Sequence, residues 1–404
     1  MGFYISGMET GYEAIVVGCG GLGSAALYWL SRELGPKVFG LEQFRLGHER
    51  GASQDHSRII RLAQHQSEYA ALAPHAYDAW GVLEEESGVR ILFKTGGLVI
   101  EDPSGRDPDK VGTRNVDGYV AAFEEHGFDY ELLDADALVR RWPQFRLEGS
   151  ERAIFQKDSG LVDARKANAA HVALARARGA TVLEATPVRA VRPNGEGVEV
   201  VTDERTYFAD RVVVASDART NEVLRETGAW MPLTVTQEQV TYYATPNLKE
   251  FSPERFPVFM WHGKDNFYGF PVYGEVATKL GQHMGGLEKP VTADTRTFEP
   301  DPVRIRRYRN FLGKHIPGFL GPELYTKTCL YTIPPDQNFV IDTLPDHPQI
   351  SVAVGAGHAY KFAGLIGRIL ADLALEGKSS FPIRAFRLDR PAISDEAFEK
   401  TFHA

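Results

Sequence analysis

The chain has 404 residues, of which 43% are apolar and 25% are charged, as is typical of a globular protein with a large core. Its 45 basic and 54 acidic residues give a formal net charge of −9, which argues against a general attraction for nucleic acid or anionic lipid. No apolar run approaches the ~20 residues of a membrane span, and two cysteines are too few for a disulfide scaffold or a cysteine metal cluster. We therefore expect a cytoplasmic protein without a bound metal.

The N-terminal part of the chain predicts a dinucleotide-binding unit. Its elements are a strand, a glycine turn, a helix and a second strand, at residues 12–17, 18–23, 24–34 and 37–41. Gly18 allows the tight turn, Gly20 lets the backbone approach a pyrophosphate, and Gly23 lets the helix pack closely on the strand. Glu42 follows the second strand, where an acid can accept hydrogen bonds from a ribose. This pattern does not distinguish NAD from FAD.

Strands and helices alternate again after residue 160. Asp163 is predicted to cap a helix over 164–178, which Gly179 ends. Short strands are then predicted at 181–184, 188–191, 198–201 and 211–215, and a last strand and helix at 350–354 and 362–375. Between them, residues 233–319 are rich in Phe, Tyr, Trp and Pro.

This interleaving predicts an α/β (α+β) fold with two discontinuous domains. One is a Rossmann-like, cofactor-binding domain formed by residues 12–90, 151–228 and 320–392. The other is a substrate domain with a mixed or antiparallel sheet, formed by residues 91–150 and 229–319.

Four further stretches carry reactive or charged side chains in a fixed order. They are Ser57-Arg58-Ile59-Ile60-Arg61, then Tyr268-Gly269-Phe270-Pro271 with Lys279-Leu280-Gly281-Gln282-His283, then Cys329-Leu330-Tyr331-Thr332, and finally Gly357-His358-Ala359-Tyr360-Lys361-Phe362. Together with the glycine turn, they resemble the family of monomeric sarcosine oxidase, which includes N-methyltryptophan and pipecolate oxidases. The resemblance covers the chain from residue 12 to about residue 392.

The resemblance implies that the cofactor is FAD. Cys329 corresponds to the cysteine that holds the flavin through a thioether at its 8α methyl group. Gly357 and His358 lie where the family's glycine turn passes the flavin ring, and N–H groups there can stabilise negative charge on reduced flavin. The remaining residues that the resemblance assigns to the cofactor are Ser57, Val188 and Thr332.

The resemblance also implies an amine oxidase acting on an amino acid. Arg61 and Lys361 match the pair that grips the substrate carboxylate, and Lys279 matches the lysine that activates oxygen. The residues expected to line the pocket and orient the amine are Arg58, Tyr268 and His283. The implied reaction converts the C–N bond of a secondary (N-methyl or cyclic) amino acid into an imine and reduces O2 to H2O2. We expect a monomer.

Two departures from the family pattern leave alternatives open. Asp217 and Arg219 stand where the family usually has a glycine and a tryptophan, so the sequence leaves the course of this cofactor loop open. Residues 62–67 also differ from the sarcosine-specific pattern, which favours a larger substrate. The alternatives are a flavin dehydrogenase or a ring-desaturating oxidase, an NAD-dependent dehydrogenase, and a flavin-binding protein without turnover.

Overall fold

The computed structural model describes residues 11–104, 114–287 and 289–401. The α-helices are α1 Gly21–Leu34, α2 Ser67–Ser87, α3 Val116–His126, α4 Ala135–Arg141, α5 Ala164–Ala177, α6 Thr220–Leu224, α7 Pro302–His315, α8 Ala363–Glu376 and α9 Pro391–Ser394. The strands are β1 Tyr12–Val17, β2 Val38–Leu41, β3 Arg58–Ile60, β4 Leu92–Phe93, β5 Gly97–Glu101, β6 Glu131–Asp134, β7 Arg152–Gln156, β8 Gly160–Val162, β9 Thr181–Leu183, β10 Val188–Asn194, β11 Gly197–Thr202, β12 Thr206–Val214, β13 Thr234–Tyr243, β14 Val258–His262, β15 Asn266–Phe270, β16 Thr278–Gln282, β17 Pro290–Val291, β18 Glu323–Ile333, β19 Val340–Leu344 and β20 His347–Val354.

The first sheet has a parallel centre. β9, β2, β1, β12 and β20 run parallel in that order, and antiparallel β11 and β19 extend the sheet beside β12 and β20. The central strands are continuous apolar runs because both of their faces are covered. Helices α1, α2, α5 and α8 contribute to the core on one face, and β10 and β11 contribute to the core on the other.

The second sheet is mostly antiparallel and has an aromatic core. Its order is β17-β13-β16-β15-β14-β5-β7-β6, with β18 paired to the other edge of β13, and β14–β5 is a parallel pair. The aromatic-rich segment of the sequence supplies much of the core beneath it, including Phe251, Phe256, Phe259 and Phe319. A small third sheet has the order β3-β8-β4.

The mixed α/β fold class is therefore confirmed, whereas the domain boundaries stay a prediction. β7 and β18 lie in segments that we assigned to the cofactor-binding domain, yet both pair with strands of the second sheet. In the described ranges, no helix combines the length and apolar character needed to cross a membrane.

Parallel pairing brings distant parts of the chain to one edge of the first sheet. The carboxyl ends of β1, β12 and β20 lie side by side and lead into Gly18, Ala215 and Gly355 respectively. In open α/β sheets, ligands bind at this edge.

Candidate active site

A cavity of about 1330 Å³ opens at this edge and extends toward the second sheet. Its walls include Gly18, Glu42, Arg61, Lys279 and Cys329. Small-molecule sites occupy roughly 300–1,000 Å³. The cavity is therefore large enough for a dinucleotide and a small substrate together.

The glycine turn forms the backbone cradle that the sequence predicts. Gly18 has φ +86°, and a Cβ there would lie 2.7 Å from the carbonyl oxygen of Ala215. A Cβ on Gly23 would overlap the carbonyl oxygen of Gly18. Gly20 precedes the first residue of α1, whose N–H groups can meet a phosphate.

Glu42 lies at the end of β2, on the wall of the cavity, and is buried. Its carboxylate accepts hydrogen bonds from the backbone N–H groups of Cys19 at 2.9 Å and Phe44 at 3.1 Å. His48 Nε2 is 3.2 Å from the same carboxylate. Glu42 therefore holds the glycine turn, and it still faces the cavity beside Val188.

Lys279 forms a buried ion pair with Asp55 on the wall of the cavity. Its Nζ donates to Asp55 Oδ2 at 3.0 Å and to the carbonyl oxygen of Ser57 at 2.7 Å, and only 2% of Lys279 and 3% of Asp55 are exposed. Burial lowers the pKa of Lys279 to about 8, although Asp55 opposes this shift. Burial favours the neutral acid of Asp55, but Lys279 and Arg58 reverse that effect and hold its pKa well below the usual range. The lysine is therefore a fixed cation near neutral pH.

Arg58 holds the loop that carries Asp55. Its guanidinium donates to the carbonyl oxygens of Ala52, Gln54 and Ser57 and lies 3.4 Å from Asp55 Oδ2. Although burial opposes its charge, the Asp55 carboxylate raises the pKa of Arg58. Its positive charge therefore stays on the cavity wall.

Cys329 lies on β18 as a partly buried free thiol that lines the same cavity. Burial raises the pKa of its thiol to about 11, and Arg58 partly offsets this shift. Three residues along the strand, Thr332 is fully buried, and its hydroxyl group faces the carboxyl group of Asp217.

Arg61 and Lys361 line the same cavity. Arg61 donates to the carbonyl oxygen of Ala63 and, at 3.0 Å, to the hydroxyl of Tyr119. Lys361 Nζ donates to the carbonyl oxygen of His358 at 2.6 Å. Within the described part of the chain, neither cation is paired with a carboxylate. Burial, and then Arg61, keep the pKa of Lys361 well below its usual range, so a bound anion would restore its charge.

The other residues predicted to lie near the flavin and the amine are also brought here. Burial raises the pKa of Tyr268 and lowers the pKa values of His283 and His358 well below the ordinary histidine range, so all three are neutral near pH 7. His358 Nε2 is 3.1 Å from the carbonyl oxygen of Gln337. Gly357 has φ +77°, and a Cβ there would overlap the ring of Tyr331.

The loop that departs from the family pattern follows β12. Asp217 has φ +49°, which explains why glycine is usual at this position. Arg219 also lines the cavity and pairs with Glu222 and Asp294. The backbone therefore keeps its left-handed turn, at the cost of strain in a residue with a side chain.

Comparison with known proteins identifies the family. The family described as DAO, FAD dependent oxidoreductase, matches residues 13–373. The chain belongs to this family of FAD-dependent oxidoreductases. Within it, the chain is similar to monomeric sarcosine oxidase of Bacillus sp. (strain B-0618), with 32% identity over 98% of this chain and 100% of the relative. N-methyl-L-tryptophan oxidase of Escherichia coli O139:H28 is 30% identical over 94% of this chain and 99% of the relative.

A solved structure agrees with this assignment. The open form of NikD, an amino acid oxidase essential for nikkomycin biosynthesis, superposes with a TM-score of 0.81 at 28% identity, over 94% of this chain and 98% of that one. The resemblance to the sarcosine oxidase family that the sequence motifs indicated is therefore confirmed.

The cavity fits the FAD that this family uses. The turn at Gly18 and Gly23 admits backbone only, and Gly20, Gly21 and Leu22 at the start of α1 line the cavity. The residues that would hold FAD are the predicted set Gly18, Gly20, Gly23, Glu42, Ser57, Val188, Cys329, Thr332, Gly357 and His358. Ser57 is buried, and its carbonyl oxygen accepts a hydrogen bond from Lys279.

Sequence reasoning missed Asp55, which is the partner of Lys279. It also missed a group of polar rings around Arg61. Tyr119 lies under the Arg61 guanidinium, its hydroxyl is 3.3 Å from His262 Nε2, and its ring is 5.4 Å from that of His65. The only sequence signal for Asp55 is its place two residues before the Ser57-Arg58 motif, and that spacing indicates no particular partner.

Proposed function

We propose that this FAD-dependent oxidoreductase oxidises the C–N bond of a secondary, N-methyl or cyclic, amino acid to an imine and reduces O2 to H2O2. The observation that supports this most strongly is the pair Arg61 and Lys361. The two cations share one cavity with Lys279 and Cys329, and no carboxylate of the described residues neutralises either one. The similarity to enzymes named for sarcosine and N-methyl-L-tryptophan favours the same substrate class.

The carboxylate of the substrate would bind between Arg61 and Lys361. Arg61 can present two N–H groups to it, and Lys361 regains its full charge when an anion replaces water beside it. Tyr119 holds the guanidinium from below through its ring and hydroxyl. The substrate would therefore be fixed at its carboxylate end, with the amine directed toward the middle of the cavity.

The groups around the amine favour its neutral form. Tyr268 and His283 are uncharged near pH 7, and Arg58 and Lys279 contribute positive charge nearby. A protonated amine is disfavoured in such surroundings, and the neutral amine has the lone pair that imine formation requires.

The reaction balances as follows. The substrate loses two electrons and two protons as its C–N single bond becomes C=N, and water then hydrolyses the imine to an aldehyde or ketone and an amine. FAD, when bound, supplies the electron transfer from the substrate to O2, which takes up two electrons and two protons to become H2O2. The chain orients the substrate and excludes water.

Lys279 is the group that would assist the reaction of oxygen. Negative charge develops on O2 as it accepts electrons, and a preorganised cation in a water-poor site stabilises that charge. Asp55 and the carbonyl oxygen of Ser57 hold the ammonium group in one position. Replacement of Lys279 with Met should therefore slow reoxidation by O2 far more than reduction by the amino acid.

We further propose that Cys329 bonds the flavin covalently, through a thioether that would replace the S–H bond and one C–H bond of the 8α methyl group, with O2 as the acceptor of the two electrons and two protons released. The proposal is supported by a free thiol on the cavity wall, on the strand that also carries Thr332. The test is precipitation of the purified protein with acid. Flavin absorbance should stay in the pellet for the natural protein and move to the supernatant for Cys329→Ser, whereas flavin in both supernatants would refute attachment at this residue.

Turnover is tested with a panel of sarcosine, larger N-methyl amino acids and cyclic amino acids such as proline and pipecolate. We expect anaerobic bleaching of the flavin by at least one of them, and one H2O2 per O2 consumed in air. Bleaching without peroxide would indicate a dehydrogenase, and loss of four electrons from a cyclic substrate would indicate ring desaturation. Absence of bleaching by every amine would favour a binding protein. Gel filtration tests the expected monomer.

A further inference from the structure

We propose that the substrate carries a side chain ending in an oxygen acceptor, as a carboxylate or a carboxamide does, and that Asn266 is the specificity-determining residue that donates a hydrogen bond to it. The proposal rests on the proposed function and deepens it, because it names the group that binds in addition to the α-carboxylate and the amine. The substrate class is then a secondary amino acid of the aspartate, glutamate, asparagine or glutamine type.

A chain of hydrogen bonds runs along the cavity wall from Arg61 to Asn266. Arg61 donates to the hydroxyl oxygen of Tyr119 at 3.0 Å, and this oxygen lies 3.3 Å from His262 Nε2. On the other side of the ring, His262 Nδ1 lies 3.2 Å from Asn266 Oδ1. All four residues line the cavity. They follow β3 or belong to α3, β14 and β15, so only the folded chain brings them together.

The order of donors and acceptors leaves the amide nitrogen of Asn266 open. Because Tyr119 accepts from Arg61, its own proton is directed toward His262 Nε2. A neutral histidine then carries its proton on Nδ1 and donates to Asn266 Oδ1. The side-chain nitrogen of Asn266 makes no hydrogen bond with a described residue, and it is not among the shielded atoms. Since Asn266 is only 9% exposed and lines the cavity, its N–H groups are available to a ligand there.

Asn266 is connected to both groups that would hold the substrate. Its carbonyl oxygen accepts from the N–H of His283 at 2.8 Å, and His283 is expected to face the amine. Its side chain is joined through His262 and Tyr119 to Arg61, which would bind the α-carboxylate. When the α-carboxylate and the amine are fixed in this way, the side chain is the part of the substrate that remains to meet Asn266.

The charges near these groups favour an oxygen acceptor. Burial, and then the positive charge of Arg114, hold the pKa values of His65 and His283 well below the ordinary histidine range. Both rings are therefore neutral near pH 7. Arg61 and Arg114 line the cavity and act on both rings with positive charge. Such surroundings attract a carboxylate or carbonyl oxygen and disfavour an ammonium group.

The loop after β3 adds further polar side chains to the wall. Gln64, His65 and Gln66 belong to the segment that departs from the sarcosine-specific pattern, and all three line the cavity. The ring of His65 lies 5.4 Å from that of Tyr119. The side chains that differ from the pattern can therefore form hydrogen bonds, as a polar substrate side chain requires.

The test compares three ligands that differ only at one end: glutarate, its monoamide and pentanoate. Their dissociation constants are measured from flavin difference spectra of the FAD-loaded, full-length protein, so no turnover is needed. Glutarate should bind roughly 10–150-fold more tightly than pentanoate through a charged hydrogen bond, and the monoamide roughly 2–10-fold more tightly through a neutral one. Equal affinity for all three ligands would overturn the proposal.

The matched variants assign the preference to Asn266. Asn266→Leu has nearly the same size and lacks the donor, so it should remove the advantage of glutarate and of the monoamide and leave pentanoate binding nearly unchanged. Asn266→Asp keeps the shape, and its carboxylate should turn glutarate into the weakest ligand. Met260→Leu is the control, because Met260 lines the cavity from β14 without a donor, and it should keep the preference. A preference for glutarate that persists in either folded Asn266 variant would refute the role of this residue.

Turnover separates this proposal from the proposed function. The kcat/KM for N-methylaspartate should exceed that for N-methylleucine, which has a side chain of similar shape, and Asn266→Leu should remove the difference mainly through KM. Oxidation of amino acids without any preference for the polar side chain would refute only this proposal. Preferential binding of glutarate without bleaching by any amine would refute only the proposed oxidation.

Discussion

Replacement of Asp55 with Asn should move the pH dependence of the reaction with oxygen. Asp55 is 3% exposed and accepts hydrogen bonds from Lys279 at 3.0 Å and from the Tyr242 hydroxyl at 2.5 Å. It is the main group that holds up the pKa of Lys279 against burial. Asparagine has nearly the same shape, so the change removes charge and leaves the packing in place.

The size of the effect follows from the pKa of Lys279. At about 8, some nine in ten lysines are protonated at pH 7, because each unit between pH and pKa is a factor of ten. Without the carboxylate, burial and Arg58 both lower the pKa of Lys279 further, so a larger fraction of Lys279 is neutral at pH 7. Removal of one partner from a buried ion pair also costs about 3–5 kcal/mol of folding stability.

Stopped-flow mixing of reduced enzyme with O2 between pH 6 and pH 9 measures the effect. The rate constant of the natural enzyme should fall as pH rises through about 8, because the cation is the active form. In Asp55→Asn the fall should come at lower pH, while reduction by the amino acid changes much less. Tyr242→Phe is the control, since it removes a hydrogen bond from Asp55 and keeps both charges. An unchanged midpoint in folded Asp55→Asn would refute the assigned role of this pair.

Further substitutions test the cradle, the carboxylate site and one helix. Gly23→Ala should abolish flavin binding, because its Cβ would overlap the carbonyl oxygen of Gly18. Gly81→Ala is the control and should keep full flavin absorbance, because a Cβ at this position has no heavy atom within 4 Å. Arg61→Met and Lys361→Met should each weaken the binding of a carboxylate inhibitor roughly 10–150-fold, because a charged hydrogen bond contributes ~1.5–3 kcal/mol. The dissociation constant is measured from flavin difference spectra, and little change in it would contradict this prediction. Asp163→Ala should lower the free energy of unfolding by about 1 kcal/mol, because the Asp163 carboxylate accepts a hydrogen bond from the Lys166 N–H at the start of α5. Chemical denaturation measures this loss, and an unchanged midpoint would count against the cap.

The elements that the sequence predicts best are those with local causes. The Asp163 cap and the end of its helix near Gly179 are set within a few residues, and α5 runs from Ala164 to Ala177 as expected. The first helix begins at Gly21 and not at Ser24, because the glycine turn itself forms its first turn. In each case the hydrogen bonds that decide the boundary lie within one turn of helix.

The parts that the sequence did not predict depend on contacts across the whole chain. Lys279 and Asp55 are separated by 224 positions, and neither residue carries a local pattern that indicates the other. The same holds for β18, which lies next to the cofactor-binding segments in the sequence but pairs with β13 along ten registered positions. Strand partners are decided by long-range packing, which residue patterns within one segment do not contain.

The sheet edge explains why residues of widely separated motifs line one cavity. β1, β12 and β20 run parallel, so the residues after them meet although they lie far apart in sequence. The loops after these strands have left-handed residues at Gly18, at Asp217, and at Ala356 with Gly357, and the two glycines leave no room for a side chain. Of these four residues, only Asp217 carries an ionisable group. Because Asp217 lines the cavity, its departure from the pattern is more informative than a substitution elsewhere on the surface.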